Sequence, residues 1–212
     1  TTVCFQREGE RPVYALEGSV SMGGSLVQWL RDNLQIIPNA ASIENLAREV
    51  KDNGGVYIVP AFSGLFAPYW RPDARGVIVG LTRFANRKHL ARAVLESTAY
   101  QTRDVADAMV ADSGVEITEL RVDGGMVASD WTMQRLADLL DAPVDRPTVL
   151  ETTALGAAWL AGRHCGVWPD MEGFAERWNL DRRFEPSMRQ DLRRRKLAGW
   201  EDAVRRVLSD RA

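Results

Sequence analysis

The run Leu120-Arg121-Val122-Asp123-Gly124-Gly125-Met126-Val127-Ala128-Ser129 joins a β-prone segment to a helix start through two adjacent glycines. Glycine lets the backbone approach a ligand with no Cβ in the way. A helix N-terminus adds unpaired N–H groups and partial positive charge, which suit a phosphate. The glycine pair reads either as a phosphate cradle or as a plain turn, and it lacks the Gly-x-Gly-x-x-Gly spacing of a dinucleotide fold. Gly23-Gly24 precedes a second helical pattern, and Gln28 follows Gly24 by four residues on the same helix face. A glycine and an amide so placed would admit a nucleotide and hydrogen-bond its ribose or base; the plainer reading is a helix entry with a solvated Gln. Thr153-Ala154-Leu155-Gly156-Ala157-Ala158 opens a helix with almost no side-chain bulk. It is either a close-approach surface at a hinge or a tightly packed core helix.

No acid–base constellation accompanies these features. His89 and His164 are isolated and read as structural or surface residues. Asp123, at the strand end, either orients its loop or approaches a metal, the loop role being the plainer. There is no Walker A loop and no nucleophile elbow. Cys4 and Cys165 have no paired spacing, which argues against metal and redox motifs, and two thiols suit a reducing cytoplasm. The 27 basic against 29 acidic side chains give a net charge of −2, which carries no footprint for nucleic acid. The balance is uneven: residues 182–212 hold ten Lys/Arg against five Asp/Glu, a solvated helix face or an anion or partner surface. With 45% hydrophobic and 26% charged residues the chain is globular rather than disordered. No run approaches the ~18 apolar residues of a membrane span, and no signal peptide is visible.

These candidates need elements to hold them. Thr2–Phe5 and Val13–Leu16 flank a polar, Gly-containing turn and read as a hairpin. Gly18 to Ser25 is small and turn-like and feeds a helix with Val27, Leu30 and Leu34 as its stripe. Ile43, Leu46, Ala47 and Val50 mark a second helix, with Ser42 as N-cap and Asn53-Gly54-Gly55 as its stop. Val56–Val59 reads as a strand, Phe62–Trp70 as a loop and Val77–Leu81 as a buried strand. A long helix runs from Leu90 past Met109 to Ser113-Gly114. Leu120–Asp123 is a short strand, and a helix covers Trp131–Leu140. Thr152-Thr153 caps the Ala-rich helix, which ends at Gly162, and a polar helix over 189–208 docks through Leu192, Leu197, Trp200 and Val204. Alternating strands and helices give an α/β domain, and no repeat or linker divides it.

Gly76-Val77-Ile78-Val79-Gly80-Leu81, seven residues, and then His89-Leu90-Ala91-Arg92-Ala93-Val94-Leu95-Glu96 resemble the second signature of the FGGY carbohydrate kinases. Tyr14–Gly18, Gln28–Asp32, Val59–Leu65, Ala67–Trp70, Glu96–Asp104, Arg121–Gly125 and Thr153–Ala158 resemble the members of that family that act on glycerol. The matches run from Thr1 to about Trp200. The resemblance implies an actin-like, ribonuclease-H-like ATPase fold in which two domains close over ATP and a polyol. Residues 1–212 would be most of the second, nucleotide-binding domain, lacking its first strands. ATP with Mg²⁺ and glycerol are the implied reactants. The base and the glycerol site would lie in an N-terminal domain outside this chain, so no catalytic residue and no metal ligand is expected here, and the chain alone should be inactive. That it begins at Thr1 inside a strand fits a larger polypeptide, cytoplasmic and homo-oligomeric as family members often are. Gly24, Gln28, Gly125 and Ser129 match the family's nucleotide-contacting positions. Ser129 departs from the pattern, which has asparagine there; a hydroxyl is shorter and lacks an amide's paired donor and acceptor groups.

Overall fold

The computed structural model describes residues 1–20 and 22–208. Ser21, inside the small-residue turn, and the last four residues of the basic tail lie outside the described residues. The hairpin is as expected: β1 (Thr2–Phe5) pairs antiparallel with β2 (Val13–Ala15). Its apolar side chains stay in solvent, with Val3 52% and Tyr14 63% exposed.

α1 (Gly24–Asp32) buries Leu26, Val27 and Leu30. It ends two residues before Leu34, which is exposed rather than part of the stripe. α2 (Ser42–Arg48) buries Ile43 and Ala47. Ser42 is not its cap: the Asn39 Oδ1 accepts the Ser42 N–H at 3.0 Å, so the capping oxygen comes from three residues upstream. The helix stops at Arg48, before the expected Asn53-Gly54-Gly55. β3 (Tyr57–Val59) and β4 (Val77–Val79) form an antiparallel pair. β4 is only partly buried, and Leu81 beyond it is exposed; among the described residues β3 is its one partner strand.

α3 (Arg87–Ser113) is the 27-residue spine. Asn86 caps it, accepting from the Lys88 N–H at 3.0 Å while its own N–H donates to His89 Nδ1 at 3.3 Å. His89 is therefore a buried capping residue. The helix ends at Gly114, in the left-handed region at φ 69°.

β5 (Leu120–Arg121) runs parallel to β6 (Val144–Pro147), and β7 (Leu180–Phe184) closes the other edge antiparallel. β5 is two residues rather than four, although the Val122 N–H still donates to the Asp145 carbonyl. α4 (Asp130–Leu140), α5 (Thr152–His164), α6 (Met171–Ala175) and α7 (Gln190–Leu208) complete the described elements. Thr152 and Thr153 lie inside α5, which continues past Gly162 to His164. On α7, Trp200 and Val204 are buried as expected, but Leu192 is 36% exposed.

Two apolar clusters share α3. One gathers Leu26, Leu30, Ile43, Val94 and Leu95 from α1, α2 and the first half of α3. The other joins Tyr100, Leu139, Val144, Phe184 and Trp200. A fully buried Leu, Val or Phe contributes roughly 1.5–3 kcal/mol, so this packing orients the loops that α3 supports. No helix among the described residues is long and apolar enough to cross a membrane.

Candidate nucleotide site

The chain leaves β5 and enters a turn that only glycine tolerates: Gly124 has φ 82° and ψ 179°. Its N–H donates to the Leu150 carbonyl at 2.9 Å, which pins the turn beside the start of α5. A single 3-10 turn, Gly125–Ala128, follows and is anchored by buried Val127. Gly125 is exposed, and a Cβ built there meets nothing within 4 Å. The backbone is thus presented to open space, as close approach of a ligand requires.

Gly24, the first residue of α1, faces this turn. A Cβ on it would stand 3.8 Å from Cγ and Sδ of Met126. The structure therefore brings Gly24 against the residue that follows Gly125. Gln28 is exposed one helical turn along from Gly24. Ser129 sits at the end of the 3-10 turn and caps α4, its Oγ accepting the Thr132 N–H at 3.1 Å. The same Oγ donates to Glu44 Oε2 on α2 at 2.5 Å and lies 2.8 Å from Thr132 Oγ1. Gly24, Gly125, the Gln28 amide and the capped start of α4 make up the candidate cradle: Gln28 and Gly125 are exposed, and Gly24 and Ser129 are half-buried.

A family model for the C-terminal domain of the FGGY family of carbohydrate kinases matches residues 3–165. The chain belongs to that family. Its α/β fold is the actin-like, ribonuclease-H-like ATPase fold. A glycerol kinase of Corynebacterium kroppenstedtii is 63% identical over 207 residues, covering 98% of this chain and 40% of that protein. The crystal structure of Plasmodium falciparum glycerol kinase with ADP superposes with a TM-score of 0.87 at 36% identity, covering 99% of this chain and 42% of that one. A ligand-bound xylulose kinase of Lactobacillus acidophilus shares the fold at 23% identity and a TM-score of 0.73, over 87% of this chain and 38% of its own. The chain spans about two-fifths of the length of the curated relatives it matches.

The FGGY signature now has a structural meaning. Gly80 has φ 79°, and a Cβ there would lie 1.9 Å from the Gly55 carbonyl oxygen, so the strand can turn beside β3 only with glycine. Arg92 and Glu96 of the signature are buried and paired: Arg92 Nε donates to Glu96 Oε1 at 3.1 Å. Lys196 on α7 reaches the same carboxylate with Nζ at 3.1 and 2.9 Å from its two oxygens. Sequence reasoning quoted Arg92 and Glu96 as motif letters and missed this cluster. Two opposite charges four apart, Arg92 inside the apolar run Leu90–Leu95 and Glu96 directly after it, were the available clue.

Asp104 was missed as well. Its Oδ2 accepts from Tyr69 Oη at 2.9 Å and from Trp200 Nε1 at 2.8 Å. Burial pushes this carboxyl up to about 6, against those two hydrogen bonds. Both donors fasten the aromatic loop and α7 to α3, which makes Asp104 a structural tie. By contrast Asp145 on β6 is held below the usual range by the Arg183 guanidinium. β6 and β7 escaped the sequence reading because Val-Asp-Arg-Pro and Leu-Asp-Arg-Arg-Phe are polar strands, tied by ion pairs such as Arg146–Asp181.

α5 is the other exposed surface beside the cradle. None of its residues is buried, and Thr153, Ala154, Ala157 and Ala158 all face solvent. Among the described residues it is therefore an open small-residue face and not a packed core helix.

Proposed function

We propose that residues 1–212 are most of the C-terminal nucleotide-binding domain of an ATP-dependent glycerol kinase, which makes glycerol 3-phosphate. The observation that carries this reading is the open Gly125 backbone, next to the Met126 that a Cβ on Gly24 would meet, in a chain 63% identical to a glycerol kinase. Gly24, Gln28 and Gly125 would line the nucleotide, with Ser129 at the helix start behind them. Mg²⁺ would travel with the triphosphate, since this ion keeps waters and binds chiefly through substrate phosphates.

Phosphoryl transfer depends on positioning and charge stabilisation more than on covalent help. This half would hold the nucleoside and present α5 as the wall that meets the N-terminal domain. That domain would bring the glycerol and the base. Closure of the two would exclude water and limit ATP hydrolysis. Assembly into homo-oligomers belongs to the same proposal.

The test is a coupled assay for glycerol 3-phosphate with ATP and Mg²⁺, run on the full-length protein and on the 212-residue chain. Turnover of glycerol by the former and none by the latter is expected, because base assistance alone contributes about 10²–10⁴-fold and positioning more. Activity in the short chain would sink the two-domain reading. Activity of the full protein on a pentose instead would move the substrate to another FGGY kinase.

A further inference from the structure

Ser129 has no hydrogen-bonding capacity left for a ligand. A hydroxyl has one proton and two acceptor positions. The proton goes to Glu44 Oε2 at 2.5 Å. One acceptor position takes the Thr132 N–H at 3.1 Å. With the proton committed, the 2.8 Å contact to Thr132 Oγ1 must be a hydrogen bond that Thr132 donates. All three positions are used.

We propose that Glu44 is a positioning residue of the nucleotide site: it holds Ser129, and through it the Gly125–Ala128 turn, in register with α1. The proposal rests on the reading of Gly24 and Gly125 as nucleotide-lining. Glu44 lies in the first turn of α2, 85 residues before Ser129. Its other oxygen is fixed in turn by Arg48, with Nε at 2.8 Å and a terminal nitrogen at 2.6 Å. The chain of contacts therefore runs Arg48, Glu44, Ser129, and then into the start of α4. Directly before that start lies the turn whose Met126 would stand 3.8 Å from a Cβ on Gly24. α2 thus meets the start of α4 through Glu44, and α1 approaches the turn before it through Gly24. The Glu44–Ser129 bond is a charge-assisted link between α2 and the start of α4. Without it Ser129 would still cap α4, but its hydroxyl could rotate and the turn would lose its tie to α2.

The same geometry makes sense of the residue type. An asparagine at this position could cap the Thr132 N–H with its carbonyl and donate one amide hydrogen to Glu44. Its second amide hydrogen would be free for the nucleotide. Serine has only the first two of these functions.

The experiment is steady-state kinetics on the full-length protein with Glu44→Ala, Glu44→Gln, Ser129→Ala and the Glu44→Ala/Ser129→Ala pair. Glu44→Ala should raise the KM for ATP about three- to tenfold, the range of one ordinary net hydrogen bond because the lost link acts on the nucleotide only through the turn, and leave the KM for glycerol within about twofold. Glu44→Gln, whose amide oxygen still accepts from Ser129, should recover most of that loss. The double variant should be no worse than the worse single, because both remove one link. Ser129→Asn should equal or improve on wild type for ATP, and the gain should vanish when Glu44 is alanine. A merely structural role would lower the melting temperature without this split between ATP and glycerol. An unchanged ATP KM in Glu44→Ala, or additive losses in the double variant, overturns the proposal. Gly125→Val separates the two ideas. If it weakens ATP while Glu44→Ala does not, only the role of Glu44 is wrong. If neither matters, the nucleotide site itself lies elsewhere.

Discussion

Glu96 should be far harder to remove than the lysine that pairs with it. Its side chain is 1% exposed and meets two cations, Arg92 on its own helix and Lys196 on α7, with Tyr100 Oη at 3.4 Å. The local charge is therefore +1. Glu96→Leu leaves two buried cations with no anion. One uncompensated buried charge costs about 3–5 kcal/mol, so this variant should lose at least about 4 kcal/mol. Part of that is recovered because Arg92 keeps the Val50 carbonyl at 2.6 Å and the Trp131 ring at 5.2 Å. Lys196→Met instead leaves Glu96 neutralised by Arg92 and keeps most of the lysine stem's volume. It gives up charge-assisted hydrogen bonds worth about 1.5–3 kcal/mol, offset by the relief of burying one ion, for a net loss of about 1–2 kcal/mol. Urea titration of the full-length variants, followed by tryptophan fluorescence, reads both values, since Trp200 stacks on Tyr100 next to the cluster. Equal losses for the two variants, or a larger one for Lys196→Met, would refute the charge reasoning.

Other consequences are checked as readily. Asp104 is near 6 when folded against 3.8 as a free side chain, so the folded state binds the extra proton. Its cost to stability is absent below pH 4 and complete above pH 6, on the order of 3 kcal/mol, so stability from this group falls as pH rises through that window. Asp104→Asn keeps an acceptor for Tyr69 and Trp200, and its urea midpoint should gain on wild type between pH 4.5 and 7; a constant difference would refute the assignment. Alanine at two glycines should behave oppositely: Gly80→Ala meets the Gly55 carbonyl and should cost more than about 3 kcal/mol or prevent folding, whereas Gly125→Ala meets nothing and should leave the melting temperature unchanged. Ala157→Trp, on the open face of α5, should spare stability yet lower turnover several-fold in the full-length protein, and normal turnover would show that this face meets no other domain.

Much of this architecture was legible in the residues. The hairpin, the long helix from Leu90 to its stop at Ser113-Gly114 and the strand–glycine–helix passage at Gly124 all follow from local patterns, although the helix starts three residues earlier, at Arg87 behind the Asn86 cap. What escaped depends on contacts between distant residues. Ser129 and Glu44 are 85 apart, and Glu96 and Lys196 are 100 apart. Nothing in either segment alone says that its charge will be buried or shared. Strands β6 and β7 were hidden for the same reason, because their polar side chains are matched across the ladder rather than along the chain. For the candidate site, the glycines announced themselves and the resemblance pointed to Gln28 and Ser129. The saturation of the Ser129 hydroxyl could be seen only in three dimensions.

The measurement that bears most directly on the central claim is an equilibrium titration of ADP into the full-length protein with and without Gly125→Val. The structure offers the added side chain no protein atom within 4 Å of its Cβ, so the fold should be unaffected. If the nucleotide lies against this turn, the ADP dissociation constant should rise at least tenfold, about 1.4 kcal/mol, while glycerol affinity and melting temperature stay as they were. Wild-type ADP affinity in a folded Gly125→Val protein would contradict the account.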